Sequence, residues 1–121
     1  MREIVLDTET TGLRQNDGDR IVEIGCVELV NHVATGNNYH QYINPQRNMP
    51  EEAFSVHGLS EDFLSSYPVM AEVVDAFLAF IGDSAPLIIH NAEFDMRFIN
   101  AELNVLGKPL LLMSRSIDTV S

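Results

Sequence analysis

Two short, uninterrupted apolar runs constrain the fold of this 121-residue chain more than any other feature. Residues 4–6 are Ile-Val-Leu and residues 87–89 are Leu-Ile-Ile, as expected for strands that are covered on both faces of a sheet. Residues 21–30 and 37–43 also have strand patterns, and short connections join the first three strands into an antiparallel meander. Because 45% of the residues are hydrophobic and occur in periodic runs, the sequence excludes an intrinsically disordered protein.

The period of the apolar residues becomes helical in the second half of the chain. It predicts one helix over residues 70–81 and a second that Asn91 caps and that Gly107 and Pro109 end. A loop is expected at residues 8–19 and a last strand within residues 110–119. Three antiparallel strands followed by helix, strand, helix and strand predict an α/β fold with a mixed sheet flanked by helices. One domain is expected over residues 1–121.

The composition limits the classes of function. With 7 Lys and Arg against 18 Asp and Glu, the formal net charge is −11, which repels nucleic acid unless a local site attracts it. No run approaches the ~18 apolar residues of a membrane span. The single Cys26 has no partner for a disulfide within the chain, and the N-terminus lacks a signal-peptide pattern. We therefore expect a cytoplasmic protein that has no membrane partner.

Three carboxylates are candidate metal ligands. Asp7 and Glu9 lie two residues apart, so both project from one face if the first strand stays extended through Glu9. Two such charges repel each other unless a cation or proton intervenes, and oxygen ligands favour Mg²⁺ or Mn²⁺. Asp95, in the first turn of the second helix, can approach the pair if the two buried strands are neighbours. The alternatives are a polar exit from a strand and an aspartate that stabilises a helix N-terminus.

Two motifs resemble those of a known family. Residues 4–12, Ile-Val-Leu-Asp-Thr-Glu-Thr-Thr-Gly, resemble the first motif of the DEDDh 3′–5′ exonucleases, and residues 90–95, His-Asn-Ala-Glu-Phe-Asp, resemble the second. Residues 54–59, Phe-Ser-Val-His-Gly-Leu, are similar to a segment of the proofreading branch, the epsilon subunits of bacterial DNA polymerase III. The resemblance runs along essentially the whole chain and implies a ribonuclease H-like fold.

The resemblance also implies roles for individual residues. Asp7, Glu9 and Asp95 match the catalytic carboxylates that hold two divalent cations, Mg²⁺ or Mn²⁺. Substrate contacts are implied for Asp7, Glu9, Thr10, Thr11, Leu13, Glu52 and His57. Glu52 and His57 would touch the terminal nucleotide, and Leu13 could wedge against its base. The alternatives are a loop histidine between two short helical turns and, for Glu52, an acidic first turn of a helix. Asp118 resembles a recurring aspartate that is structural rather than catalytic.

The function implied by the resemblance is proofreading of DNA 3′ ends in replication, with release of nucleoside 5′-monophosphates. The implied partners are a DNA 3′ end, an alpha-type polymerase subunit of DNA polymerase III and a small theta-type subunit. An exoribonuclease, a helicase-fused exonuclease or a non-catalytic nucleic-acid or replisome-binding module are the alternatives. The family's third motif, a His and an Asp on a C-terminal helix, is absent from residues 1–121. We therefore expect an N-terminal part of a longer enzyme, weakly active or inactive by itself.

Overall fold

The computed structural model describes residues 1–119 of the chain. Its strands are β1 (Arg2–Thr10), β2 (Ile21–Val30), β3 (Val33–Tyr42), β4 (Leu87–Ile89) and β5 (Ser116–Asp118). Its α-helices are α1 (Glu51–His57), α2 (Glu61–Leu64), α3 (Met70–Ile81) and α4 (Ala92–Val105). The domain expected over residues 1–121 thus includes two residues, 120 and 121, that lie outside the described range. Within that range, no helix is long and apolar enough to cross a membrane.

The strands form one mixed sheet in the order β3-β2-β1-β4-β5. β1 pairs antiparallel with β2, and β2 pairs antiparallel with β3. β4 lies parallel to β1 on its other side, and β5 lies parallel to β4. This confirms the predicted α/β fold and places the strand of Asp7 and Glu9 at the centre of the sheet, next to the strand that leads into α4.

The hydrophobic core lies between one face of the sheet and helices α3 and α4. Ile4 and Leu87, which are paired in register, are both 0% exposed. Phe77 of α3 and Phe98 of α4 belong to the same buried cluster. The helical spacing of apolar residues in the sequence therefore identified the two helices that cover this face.

The second face of the sheet is more open than the sequence predicts. Val5 pairs with Val27 on one side and with Ile88 on the other, so these side chains share a face. Val5 and Val27 are each 37% exposed, and Ile117 of β5 is 49% exposed. The prediction that residues 4–6 are covered on both faces is therefore wrong for the part of the chain that the structure describes.

Three predicted boundaries also differ. The loop expected from residue 8 begins later, because β1 continues to pair with β2 as far as Thr10, with a register shift after Glu9. β3 begins at Val33, since a tight turn at residues 31 and 32 with positive φ lets pairing start at once. The last strand is confined to Ser116–Asp118, because Asn100 instead binds the backbone N–H and C=O of Leu111.

The N-terminus of α4 is capped by a distant side chain. Asn91 adopts the left-handed conformation (φ 61°) and its side chain makes no cap, so the predicted capping role is wrong. The carboxylate of Asp118 accepts hydrogen bonds from the backbone N–H of Asn91 at 3.0 Å and of Ala92 at 3.1 Å instead. β5 thereby fixes the start of α4, which supports the structural role expected of Asp118.

A partly buried ion pair ties the last turns of α4 to the start of β2. The Nη2 of Arg20 lies 2.7 Å from Oε1 of Glu102, and its Nε lies 2.9 Å from Oε2. The Glu102 side chain is only 4% exposed, and it also accepts a bond from the backbone N–H of Ile21. Because the geometry is bidentate and shielded, it constrains the helix more than an exposed pair would.

We predict that Glu102→Gln lowers the free energy of unfolding by about 2–4 kcal/mol, since it leaves the Arg20 guanidinium partly buried without its counter-charge. Urea denaturation measures this change. Asp75→Asn is the control, because the Asp75 side chain is 82% exposed in its pair with Lys108, and such pairs contribute ~1 kcal/mol or less. Equal losses in the two variants would contradict the role assigned to Glu102.

Candidate active site

A pocket of about 340 Å³ opens beside the end of β1. It is formed by β1 and the loop that follows it, by α1 and by the first turn of α4. The lining residues are Thr8, Glu9, Thr10, Gly12, Leu13, Glu52, Ala53, Val56, His57 and Phe94. Of the residues that the sequence predicts for substrate contact, five thus line one pocket, although they come from two separate segments of the chain: Glu9, Thr10, Leu13, Glu52 and His57. Its volume lies within the range of small-molecule sites.

The three carboxylates approach one another at the edge of this pocket. Asp7 and Glu9 alternate with Thr8 along the extended strand, so both project from the face opposite to Thr8. Asp95 lies in the first turn of α4 and is 4% exposed. The hydroxyl of Thr8 donates a 2.9 Å hydrogen bond to Oδ1 of Asp95. The parallel pairing of β1 and β4 therefore positions α4 so that its aspartate meets β1.

Burial and like charge shift the protonation of this group. Loss of water raises the pKa of Asp95 to about 7; the hydrogen bond from Thr8 opposes the shift, and the charges of Asp7 and Glu9 add to it. The pKa of Glu9 is also raised, first by burial and then by Asp7, while His57 acts in the opposite direction. The charges of Asp7, Glu9 and Asp95 therefore interact, which agrees with the expectation that Asp95 approaches the other two acids.

These residues fit a divalent cation. Oδ2 of Asp95 is buried and has no hydrogen-bond partner within residues 1–119, although buried carboxylate oxygens are normally satisfied. A cation would satisfy that oxygen and relieve the repulsion among the three acids. Among the described residues, no three His, Cys, Asp or Glu side chains already form a compact ligand cluster. The three acids therefore interact electrostatically without forming a closed ligand set.

His57 is held in one orientation by two backbone groups. The N–H of Leu59 donates to Nδ1 at 3.0 Å, so the ring proton lies on Nε2, which donates to the carbonyl oxygen of Thr10 at 3.1 Å. His57 is the last residue of α1, where this bond joins the helix to the end of β1. Glu52 lies in the first turn of the same helix and lines the pocket. A position in an acidic helix turn and a contact with the substrate are therefore compatible for this residue.

The predicted substrate residues at the end of β1 and in the loop after it have different surroundings. Leu13 is 74% exposed at the pocket, as a wedge against a base requires. Thr10 lines the pocket, and its hydroxyl donates to the carbonyl of Gly12 at 2.6 Å. Thr11 is 0% exposed and does not line this pocket; its hydroxyl donates to Oδ1 of Asp19 at 2.9 Å. Substrate contact by Thr11 stays a prediction; with Leu13 and Glu52, this buried residue lines a second depression beside the pocket.

Asp19 is a site-supporting residue that the sequence analysis missed. Besides the bond from Thr11, its carboxylate accepts from the backbone N–H of Arg14 at 3.1 Å and from Nη1 of Arg47 at 2.9 Å. A Cβ on Gly12 would lie 2.3 Å from its Oδ2, so a side chain there would displace the Asp19 carboxylate from these bonds. In the sequence, Asp19 is one acid in a polar loop, and nothing in its spacing signals this function.

Comparison with known proteins identifies the family. Residues 4–121 match the profile of a family described as exonuclease, of the RNase T type. The chain belongs to the exonuclease family. Exonucleases of this family use divalent metal ions, which agrees with the fit of the three carboxylates. The resemblance to DEDDh exonucleases that the motifs indicate is thereby confirmed.

Several epsilon subunits are similar to this exonuclease. DNA polymerase III subunit epsilon of Rickettsia felis is 54% identical over 123 residues, which cover 99% of this chain and 53% of the relative. The same subunit of Escherichia coli is 48% identical, over 90% of this chain and 46% of the relative. The chain therefore spans about half the length of the curated relatives that it matches.

Solved exonuclease structures confirm the ribonuclease H-like fold. Exonuclease X, in complex with 5′ overhanging duplex DNA, is 27% identical, with a TM-score of 0.66 over 78% of this chain and 52% of its own. Product-bound exonuclease I has a TM-score of 0.83 over 97% of this chain and 29% of its own. At 13% identity, the second likeness concerns the fold alone.

We predict that Asp95→Asn stabilises the exonuclease when a chelator removes divalent metal. The pKa of Asp95 is about 7 in the folded protein against an ordinary value of 3.8. Between about pH 4 and pH 7 the folded state therefore holds a proton that the unfolded chain has released, and the free energy of unfolding falls as the pH rises. At pH 8 the variant should unfold with a free energy higher by on the order of 2 kcal/mol, and its pH slope should be shallower.

Urea denaturation across pH 4–8 measures both effects. Glu93→Gln is the matched control, since Glu93 lies in the same first turn of α4 and its side chain is 81% exposed. The control should keep the pH slope of the unsubstituted protein. A slope that survives in Asp95→Asn would show that another group causes it.

Proposed function

We propose that this chain carries the nucleotide-binding and metal-binding half of a 3′–5′ exonuclease that removes nucleotides from DNA 3′ ends. The observation that carries the proposal is the buried Oδ2 of Asp95, which has no hydrogen-bond partner within residues 1–119 and whose carboxyl group interacts with the charges of Asp7 and Glu9, beside a pocket of about 340 Å³. A structural protein has no use for such an arrangement, because it destabilises the metal-free fold. The curated relatives are about twice as long, so the complete activity belongs to a longer protein.

Asp7, Glu9 and Asp95 would hold two Mg²⁺ or Mn²⁺ ions. The donor set consists of carboxylate oxygens, which these hard cations prefer. Bound there, the ions would supply positive charge to a phosphodiester and lower the pKa of a water molecule that attacks it. The residues of this chain would keep Asp95 buried and bound to β1 through Thr8, so that this ligand is oriented before the substrate arrives.

The pocket residues would receive the terminal nucleotide. Glu52 and His57 line it from α1, and the exposed Leu13 lines it from the loop after β1. Because the lining is mainly apolar, it can accept a base by packing rather than by sequence-specific hydrogen bonds. An unpaired 3′ terminus costs less to draw into such a pocket than a paired one, so mispaired ends would be preferred. The products would be nucleoside 5′-monophosphates.

The cellular role would be proofreading within DNA polymerase III. The name of the similar epsilon subunits supports this assignment, since each is called a subunit of that polymerase. The partners would be an alpha-type polymerase subunit and a small theta-type subunit in a bacterial cytoplasm. The net charge of −11 agrees with such an assembly, because an acidic protein binds free DNA poorly and depends on a partner to deliver the 3′ end.

An assay of the full-length protein with Mn²⁺ tests the proposed function. The substrates are 5′-labelled single-stranded DNA, the same sequence as RNA, and duplex DNA with or without a terminal mispair. We expect stepwise shortening from the 3′ end, faster on DNA than on RNA and faster on the mispaired duplex. Asp7→Asn and Asp95→Asn should each lower kcat by about 10²-fold or more.

Glu93→Gln controls for loss of an acidic side chain near the site, and it should leave the rate unchanged. Preference for RNA would assign the chain to an exoribonuclease instead. Full activity in Asp7→Asn would contradict the proposed metal site, and binding of DNA without any shortening would indicate a non-catalytic module.

A further inference from the structure

Nearly all Lys and Arg side chains in the described part of the chain form ion pairs or hydrogen bonds. Within the described residues, Arg2, Arg20, Arg47 and Lys108 pair with carboxylates at 3.0 Å or less. Arg97 and Arg115 donate to side-chain or backbone oxygens. The exception in residues 1–119 is Arg14, which is exposed and whose guanidinium has no hydrogen bond and no carboxylate within 4.0 Å. Among the described cations, Arg14 is therefore the one whose charge is free to bind an external anion.

Arg14 lies at the rim of the candidate active site. It follows the pocket residue Leu13 and lines a shallow groove of about 310 Å³. That groove shares Gly12, Leu13, Glu52 and Ala53 with the main pocket, so the two depressions adjoin. A polynucleotide whose terminal nucleotide fills the pocket has to leave along an adjoining surface, and its next phosphate carries a negative charge that an unpaired guanidinium attracts.

The backbone that carries Arg14 is fixed from two sides. Its own N–H donates to Asp19, whose carboxylate Arg47 also holds. From α4, Arg97 donates to the side chain of Gln15 at 2.8 Å and to the carbonyl of Leu13 at 3.4 Å. The loop is therefore anchored both to residue 47 and to the helix that bears Asp95. Such anchoring fixes the backbone from which the Arg14 side chain extends, so that a phosphate beside the pocket lies at a defined distance from this point of the chain.

We propose that Arg14 binds a phosphate of the substrate strand, one or two nucleotides before the 3′ terminus. The inference rests on the proposed exonuclease function and adds a substrate-binding residue that the motifs do not include. Arg14 offsets the repulsion of an acidic protein at the point where the strand leaves the pocket. Its contribution concerns binding of a polynucleotide and not the chemical step.

The test uses the full-length protein with Mn²⁺ and two substrates. One is a single-stranded DNA oligonucleotide, and the other is the p-nitrophenyl ester of thymidine 5′-monophosphate, which has no neighbouring phosphate. We expect Arg14→Gln to raise KM for the oligonucleotide about three- to tenfold with kcat unchanged, and to reduce the slope of log KM against log salt by about 0.7, the loss of one phosphate contact. KM for the mononucleotide ester should not change.

Lys108→Gln is the matched control, since it alters the net charge by the same amount but lies beyond the far end of α4. An equal rise in KM in both variants would mean that only the net charge matters, and it would overturn the inference. An equal rise on both substrates would assign Arg14 to the structure of the pocket and would also overturn it. If the unsubstituted protein degrades neither substrate, the proposed function itself is wrong; an active enzyme with an unchanged KM in Arg14→Gln refutes the inference alone.

Discussion

The carboxyl group of Asp95 is held out of water against the central strand; this burial raises its pKa, and the charges of two further acids add to the shift. Burial of an acid costs free energy unless hydrogen bonds or a cation compensate, and Thr8 satisfies only one of its two oxygens. The fold therefore retains an unfavourable interaction at the end of β1. Such local instability is typical of functional sites, where a ligand removes it, and it distinguishes this edge of the sheet from an ordinary polar strand end.

Helix α4 connects Asp95 to the other parts of the site. Asp118 fixes its first residues, Glu102 ties its last turns to β2, and Arg97 between them holds the loop after β1. The helix that presents Asp95 therefore also positions Leu13 and the groove beside it. The helix that bears Asp95 and the loop that forms the pocket wall are thereby held in a fixed relation, which suits the proposed reaction, since a terminal nucleotide must be aligned with the carboxylates.

Periodicity predicted the large features, because strands and amphipathic helices repeat their apolar residues at different intervals. It placed α3, α4 and the mixed sheet correctly, and the two-residue spacing of Asp7 and Glu9 predicted their common face. It failed where contacts are distant in sequence. The capping of α4 by Asp118 spans 26 residues to Ala92, and no local pattern reveals it. The open second face likewise could not be read from residues 4–6, since a partly exposed valine and a buried one have the same local pattern.

The claim that the three acids form a cation site is tested most directly by titrating the protein with Mn²⁺ in a calorimeter at pH 7.5. The account predicts saturable binding that Asp7→Ala abolishes and that Asp83→Ala, a change of an exposed aspartate outside the pocket, leaves intact. Asp7 is itself exposed, so its loss should not unfold the chain. Absence of saturable heat, or equal binding in Asp7→Ala, would contradict the central claim.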